Sequence, residues 1–483
     1  MNNNLKRFLL ASALLIPAYA VTQLTGSKPF GFNFGSVEAQ GSNAAAFTAN
    51  KLLQKTVNYS GLESPSEGEW GSKLEEAGFE AIKQAGFTAV RLPVKFSNHA
   101  DAAAPYKLEP TFLARVDWAV QNATKRGLAI IIDLHHYNEL TASPEANRAR
   151  FLGLWDQIAK HYQKQPQNVI FELLNEPNDK LEPFWNDYAA EALAVVRKSN
   201  PNRTVIIGPN GWNSADKLAD LKVPNDPNLI VTFHNYTPFE FTHQGADWVS
   251  PVPKVGTTWP PATNATLRSP WQNWSWDSQV TPTAAGIEVE YKKGWAGAYF
   301  HSDTAASGYS SLHLKTDRAV KLTVSCLNNV NGAKAKSFPI ETQVGTVLEV
   351  LLTNCGDGKD FKDLLIQSNL PDAQPKFTLQ TLELVGAKGS DGFISDAQSQ
   401  IRAYLETASK WGKANSRPLF MGEFGSLDKG DMASRVRWTK FTREEAEKRN
   451  ISWAYWEFNG GFGAWDPKAK IWRPELRKAL TGN

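Results

Sequence analysis

Two glutamates stand in settings that suit covalent chemistry: Glu176 in Asn175-Glu176-Pro177 and Glu423 in Gly422-Glu423-Phe424-Gly425. Each follows an apolar, β-branched run of the kind that forms a buried strand, and strand ends can carry side chains into a shared mouth. Carboxyl groups about 5 Å apart across such a mouth supply an acid/base and a nucleophile, which is the requirement for displacement at a sugar acetal with retention. Other run ends carry Arg91, His135, His136, His234, Tyr236 and Trp456. Arg91 beside Glu423 would keep that carboxylate ionised, while partial desolvation would let Glu176 keep its proton. Tyr236 is suited to donate to the nucleophile, Trp456 to floor a pyranose ring and the histidines to orient hydroxyls. Either glutamate taken alone also reads as the partner of Arg91 in a buried ion pair; two on one face favour chemistry.

The competing chemistry is a metal site drawn from Asp133, His135, His136, His234 and the two glutamates. Adjacent histidines on an extended strand point to opposite faces, so His135 and His136 do not easily share an ion. No His-Glu-x-x-His is present. The expectation is that no cofactor is needed.

Positioning these residues requires a repeated βα frame. Runs near 55–59, 88–93, 129–134, 169–174, 204–208, 230–234, 419–423 and 452–456 alternate with helical patterns at 112–126, 182–199 and 431–449. Eight such runs predict a (β/α)8 barrel in the α/β class. No Gly-x-Gly-x-x-Gly or Walker-type loop follows any run, so nucleotide binding has no support.

One connection breaks the rhythm, because roughly 185 residues separate the sixth and seventh runs. A helix with apolar spacing near 3.6 is expected at 391–413, leaving a domain-sized insert at 257–390 between the sixth strand and its helix. Period-two runs at 319–324, 346–352 and 377–384 predict an antiparallel β-sandwich. The barrel then occupies 48–256 plus 391–483. Trp271, Trp274, Trp276, Trp295 and Tyr299 lie early in the insert, where they read either as a sugar-stacking surface or as sandwich core and domain interface. Cys326 and Cys355 either close a loop within it or stay as free buried thiols.

At the start, Lys6 and Arg7 precede the apolar run 8–16 and Ala18-Tyr19-Ala20, the pattern of an export signal; 1–39 read as signal and tether. The run is too short to span a bilayer, so no membrane span is expected in the mature, secreted or cell-surface protein. With 52 Lys plus Arg against 49 Asp plus Glu, bulk charge does not direct the chain to nucleic acid. A composition of 42% hydrophobic and 21% charged residues excludes a disordered chain. The 17 tryptophans are consistent with a carbohydrate-binding surface, and a monomer is expected.

The strand ends resemble glycoside hydrolase family 5 of the retaining clan A barrels, most of all bacterial endoglucanases with broad β-glucan and mannan activity. The resemblance covers 52–253 and 397 onward. It rests on the block 62–71, on Val90-Arg91-Leu92-Pro93, His135-His136-Tyr137 and Asn175-Glu176-Pro177, and on Phe233-His234-Asn235-Tyr236 and the block 241–245. Gly422-Glu423-Phe424-Gly425 and the block 453–458 complete it. It implies Glu176 as acid/base and Glu423 as nucleophile, with Arg91, His135, Asn175, His234, Tyr236 and Trp456 around them. Asn175 would hold the sugar 2-hydroxyl, and His136 and Glu63 match substrate-contacting positions. The implied activity is a secreted retaining hydrolase of β-1,4-glucan. A β-mannanase, a xyloglucanase and an exo-acting β-glucosidase are alternatives on one scaffold. A non-catalytic carbohydrate-binding surface protein is the alternative of another class, disfavoured by the intact glutamates. The insert departs from simple members of the family. It can extend the cleft, narrow it, or restrict it to chain ends.

Overall fold

The computed structural model describes residues 43–261, 265–283, 285–327, 336–355, 360–387, 389–395 and 397–482. The expected export signal and tether at 1–39 lie outside the described residues. No described helix is long and apolar enough to cross a membrane.

Eight parallel strands close a barrel: β1 (Thr56–Asn58), β2 (Ala89–Val94), β3 (Ala129–Leu134), β4 (Val169–Glu172), β5 (Val205–Ile207), β6 (Leu229–Asn235), β7 (Leu419–Phe424) and β8 (Ser452–Tyr455). The ring shuts where Thr56 of β1 pairs with Ala454 of β8. Every residue of these strands is buried, as expected where helices cover the outside and side chains fill the inside. Ile131, Ile170, Ile206, Ile230 and Phe420 form one apolar cluster, and the helix Ala44–Lys51 packs Ala46 into it. Asn50 of that helix donates to the Leu419 carbonyl at 3.1 Å and its carbonyl accepts from Ser452, tying it to β7 and β8. The polar residues Asn58, Arg91, Glu172 and Thr232 sit on the same strands and are equally buried.

β7 carries a local irregularity that aims a catalytic candidate. Met421 pairs with Phe233, yet the next pair is Glu423 with His234, so Gly422 is an extra residue in the ladder. Such a bulge bends the strand and redirects the side chain after it. Glycine is needed here, because a Cβ at 422 would lie 2.6 Å from Thr232 Oγ1 and 3.2 Å from His234 Nε2.

Between β6 and β7 two antiparallel sheets share one apolar core. One runs in the order Leu348–Leu351, Tyr309–Thr316, Phe377–Gly386, Gly286–Tyr291 and Ser278–Thr283. The other runs Phe338–Glu341, Lys321–Leu327, Phe361–Ser368, Gly297–Ala306 and Gln272–Asn273. Ile287, Val289, Leu312 and Leu314 from the first meet Phe300, Leu322, Leu364 and Ile366 from the second. Cys326 and Cys355 are joined in a disulfide. The helix expected from 391 begins at Ala397 instead. The residues before it are strands: Gly389–Gly392 pairs with Phe377–Gly386, and Ile394–Ser395 pairs with Thr266–Leu267. The expected break at 390 therefore falls inside a hairpin, and the β structure runs on to 395.

Candidate active site

Arg91, midway along β2, organises the mouth. Register places it beside Asn58 of β1 and Ile131 of β3. Its Nε and NH2 donate to the two oxygens of Glu172 at 2.8 and 2.9 Å, a bidentate pair. NH2 also donates to Asn175 Oδ1 at 2.7 Å, and NH1 donates to Asn58 Oδ1 at 2.9 Å and Glu423 Oε1 at 2.8 Å. All five donors are used, and Asp133 lies at 3.0 Å besides. Lysine has no planar fork to replace this geometry. Arg91→Lys is therefore expected to lower stability by roughly 3–5 kcal/mol, because buried carboxylates lose their partner; the denaturation midpoint of the purified variant measures it.

Asn175 is fixed by the same arginine. Its carbonyl oxygen accepts from Arg91, leaving the amide N–H groups as donors toward the cleft. Asn213, held at φ 58 after β5, donates to the Asn175 backbone carbonyl at 2.6 Å and stands 3.4 Å from His234 Nε2. A neutral His234 with Nε2 facing that amide carries its proton on Nδ1, which lies 2.7 Å from Glu176 Oε1. Burial pushes the His234 ring down to about 4, against the pull of Glu423, so it is neutral in the physiological range. His135 is likewise pushed well down by burial, with its Nδ1 2.5 Å from Asp133.

Glu176 and Glu423 face each other across His234. One oxygen of each and one ring nitrogen of His234 all lie within 4.8 Å of one another. Their surroundings differ. Glu423 accepts from Arg91 and, at 2.7 Å, from the Tyr236 hydroxyl, both of which favour its charged form. Burial pushes its carboxyl up, while His234, Arg91 and the Tyr236 hydrogen bond oppose that rise. Among the described residues the Glu176 carboxyl has only His234 within hydrogen-bond reach, and it is 26% exposed. Burial raises it to about 7, with the negative charge of Glu172 adding and Arg91 opposing. Arg91 faces Asp133, Glu172 and Glu423 with Glu176 close by, so one positive charge serves four carboxyl groups. The first proton this cluster shares with a substrate belongs on the group with fewest donors and most access, Glu176.

The other expected residues take the rim. The Trp456 indole lies parallel to His135 at 5.6 Å and 4° and is half-buried. His136, at φ 49, turns its ring edge-on to His135 at 87° and against Trp70. Glu63 is buried and accepts from the Gly61 amide at 2.6 Å, apart from the arginine network. It neighbours Glu457, which burial and the charge of Glu63 raise to about 8. Sequence reasoning passed over Glu172, Asn58, Asn213 and Glu457. Glu172 was signalled by a charge inside the apolar run Val-Ile-Phe-Glu-Leu-Leu at 169–174. Glu176, His234 and Glu423 are the described residues whose ligand atoms cluster as a metal could use them, and each has a role in the hydrogen-bond network.

Comparison with known proteins places these features in a family. The Cellulase family (glycosyl hydrolase family 5) matches residues 50–279 and 382–461, leaving most of the sandwich unmatched. Endoglucanase H of Acetivibrio thermocellus is 40% identical over 184 residues, 38% of this chain and 20% of that protein, so the chain spans about a fifth of its length. Among solved structures, Thermotoga maritima Cel5A in complex with cellobiose is 31% identical with a TM-score of 0.61, covering 90% of this chain and 99% of that one. The same enzyme with mannotriose aligns to the same extent, at 31% identity and a TM-score of 0.61.

Proposed function

The chain belongs to the cellulase family, glycosyl hydrolase family 5, and on that premise we propose that it is a retaining endo-acting hydrolase of β-1,4-linked glucan. The observation that carries the reading is the pair Glu176 and Glu423, with oxygens within 4.8 Å and unequal donor sets. That separation matches the short spacing of retaining enzymes, about 5 Å, and not the roughly 6.5–9.5 Å over which a base activates water on the far face of the sugar, which favours attack by a carboxylate.

Glu423, ionised by Arg91 and held in one rotamer by Tyr236, attacks the anomeric carbon. Glu176 accepts from His234 through Oε1, so its proton sits on Oε2 and passes to the departing glycosidic oxygen. A glycosyl ester on Glu423 forms as the leaving sugar goes. Glu176, now ionised, takes a proton from an entering water, which attacks the same carbon and frees Glu423. The Asn175 amide is directed to the sugar 2-hydroxyl, and Trp456 to the ring face. No step needs a metal or a cofactor.

We place the protein outside the cytoplasm, on the apolar start of the sequence and the disulfide between Cys326 and Cys355. A mannan backbone is the second reading, favoured by the similarity to an enzyme solved with mannotriose. Product sizing on cellulose derivatives, mixed-linkage glucan, xyloglucan, glucomannan and galactomannan separates them. An early spread of intermediate-length fragments from the glucans supports the reading, and exclusive cleavage of galactomannan overturns the glucan assignment.

A further inference from the structure

The outer face of the sheet that contains Gly297–Ala306 is built for stacking. Ala298 and Phe300 point into the sandwich core, so 297, 299 and 301 face outward. Trp276 lies flat against the strand at Gly297, where a Cβ would come within 2.6 Å of the indole. Trp274 stacks on His301 at 3.7 Å and 15°. His301 is fixed from the neighbouring strand, its Nδ1 2.6 Å from Asp363 Oδ1. Tyr299 fills the gap between the two indoles, 6.4 Å from one and 5.8 Å from the other. Each tryptophan thus has one face seated on the sheet, yet Trp274 remains 46% exposed and Trp276 39%. A side chain that merely completes the core would be covered on both sides.

We propose that this face is a second glycan-binding site, which takes a β-1,4-linked glucan chain across Trp276 and Trp274. With Tyr299 6.4 Å from one indole and 5.8 Å from the other, the platforms are at most about 12 Å apart, the span of a short run of linked pyranose rings. Between and beside them the surface is polar and its charges are paired: His301 lies between Asp363 and Asp303, and Lys293 pairs with Asp277 next to Trp276. Gln272 accepts from the Trp274 indole N–H at 3.2 Å, and Asn273 accepts from the Ser275 hydroxyl. Separate apolar plates with amide and hydroxyl rims suit a ligand whose ring faces present C–H groups and whose edges present hydroxyls. A protein partner or a second copy would call for a continuous apolar patch instead. The choice of glucan rests on the function proposed above, since one polymer then meets both sites.

The test uses the full chain with Glu423→Gln to prevent hydrolysis, run in affinity gels containing hydroxyethylcellulose or, as control, dextran. Retardation by hydroxyethylcellulose alone is expected, and adding Trp274→Ala with Trp276→Ala should reduce it to the part that the cleft by itself supplies. In the active chain the same two substitutions should leave cellotetraose hydrolysis unchanged. Gly297→Ala, which lifts Trp276 but keeps every indole, should give a smaller loss. Undiminished retardation of the double variant, or equal retardation by dextran, overturns the proposal. Failure of the underlying function shows separately, as absence of cellotetraose hydrolysis by the unsubstituted chain.

Discussion

Glu423→Gln should reduce turnover of any cleaved β-glucan by at least roughly four orders of magnitude, with substrate binding and fold retained. The amide can turn its oxygen to Arg91 NH1 and its NH2 to the Tyr236 hydroxyl, which is able to accept as well as donate. The contacts that seat the carboxylate at 2.8 and 2.7 Å therefore have near-equivalents in the variant. What is lost is the anionic oxygen that forms the glycosyl ester. Calorimetric binding of cellotetraose with steady-state kinetics on the same preparation measures both. A purely binding barrel would have no turnover to lose.

The second large effect separates the acid from the nucleophile. Glu176→Ala should slow hydrolysis of unactivated oligosaccharides about a thousandfold. Aryl cellobiosides with acidic leaving groups should be cleaved in the first step almost as by the parent, because such groups depart without a proton. The pH profile changes in a defined direction. In the parent, activity requires Glu176 protonated, so kcat/KM falls as pH rises through about 7, where burial has placed this carboxyl. In the variant that alkaline limb should disappear on the activated substrate. If the limb persists, a group other than Glu176 sets it; Glu457, raised to about 8, is the one to examine.

Much of this site was legible because a βα barrel converts strand ends into neighbours. Glu176, Glu423, His234, Tyr236 and Trp456 lie far apart in the chain, yet each follows a short apolar run, and closure of the ring brings them together. Glu172 was harder to see. It lies before the end of its run, and only the bidentate contact with Arg91 explains a charge at that depth. Asn213 was illegible for another reason: it comes from the four-residue turn Asn210–Asn213, whose left-handed backbone at Gly211, Trp212 and Asn213 has no periodic signal. The bulge at Gly422 depends on the bulk of Thr232 and His234 on the neighbouring strand, which local sequence does not report. In the sandwich, period two revealed which residues face inward but not which strands pair, so the hairpin at 377–392 was divided at the wrong place. The tryptophans split by neighbours. Trp271 stacks on Phe393 beside the core, while Trp274 and Trp276 lie on the outer face.

The most direct measurement of the central claim is proton NMR of the sugar first released from cellotetraose, recorded before mutarotation. Double displacement through Glu423 predicts that the new reducing end appears in the β configuration and that the α anomer grows in only later. An α anomer as the first product would mean that water attacks directly, and the roles given to Glu176 and Glu423 would then be wrong.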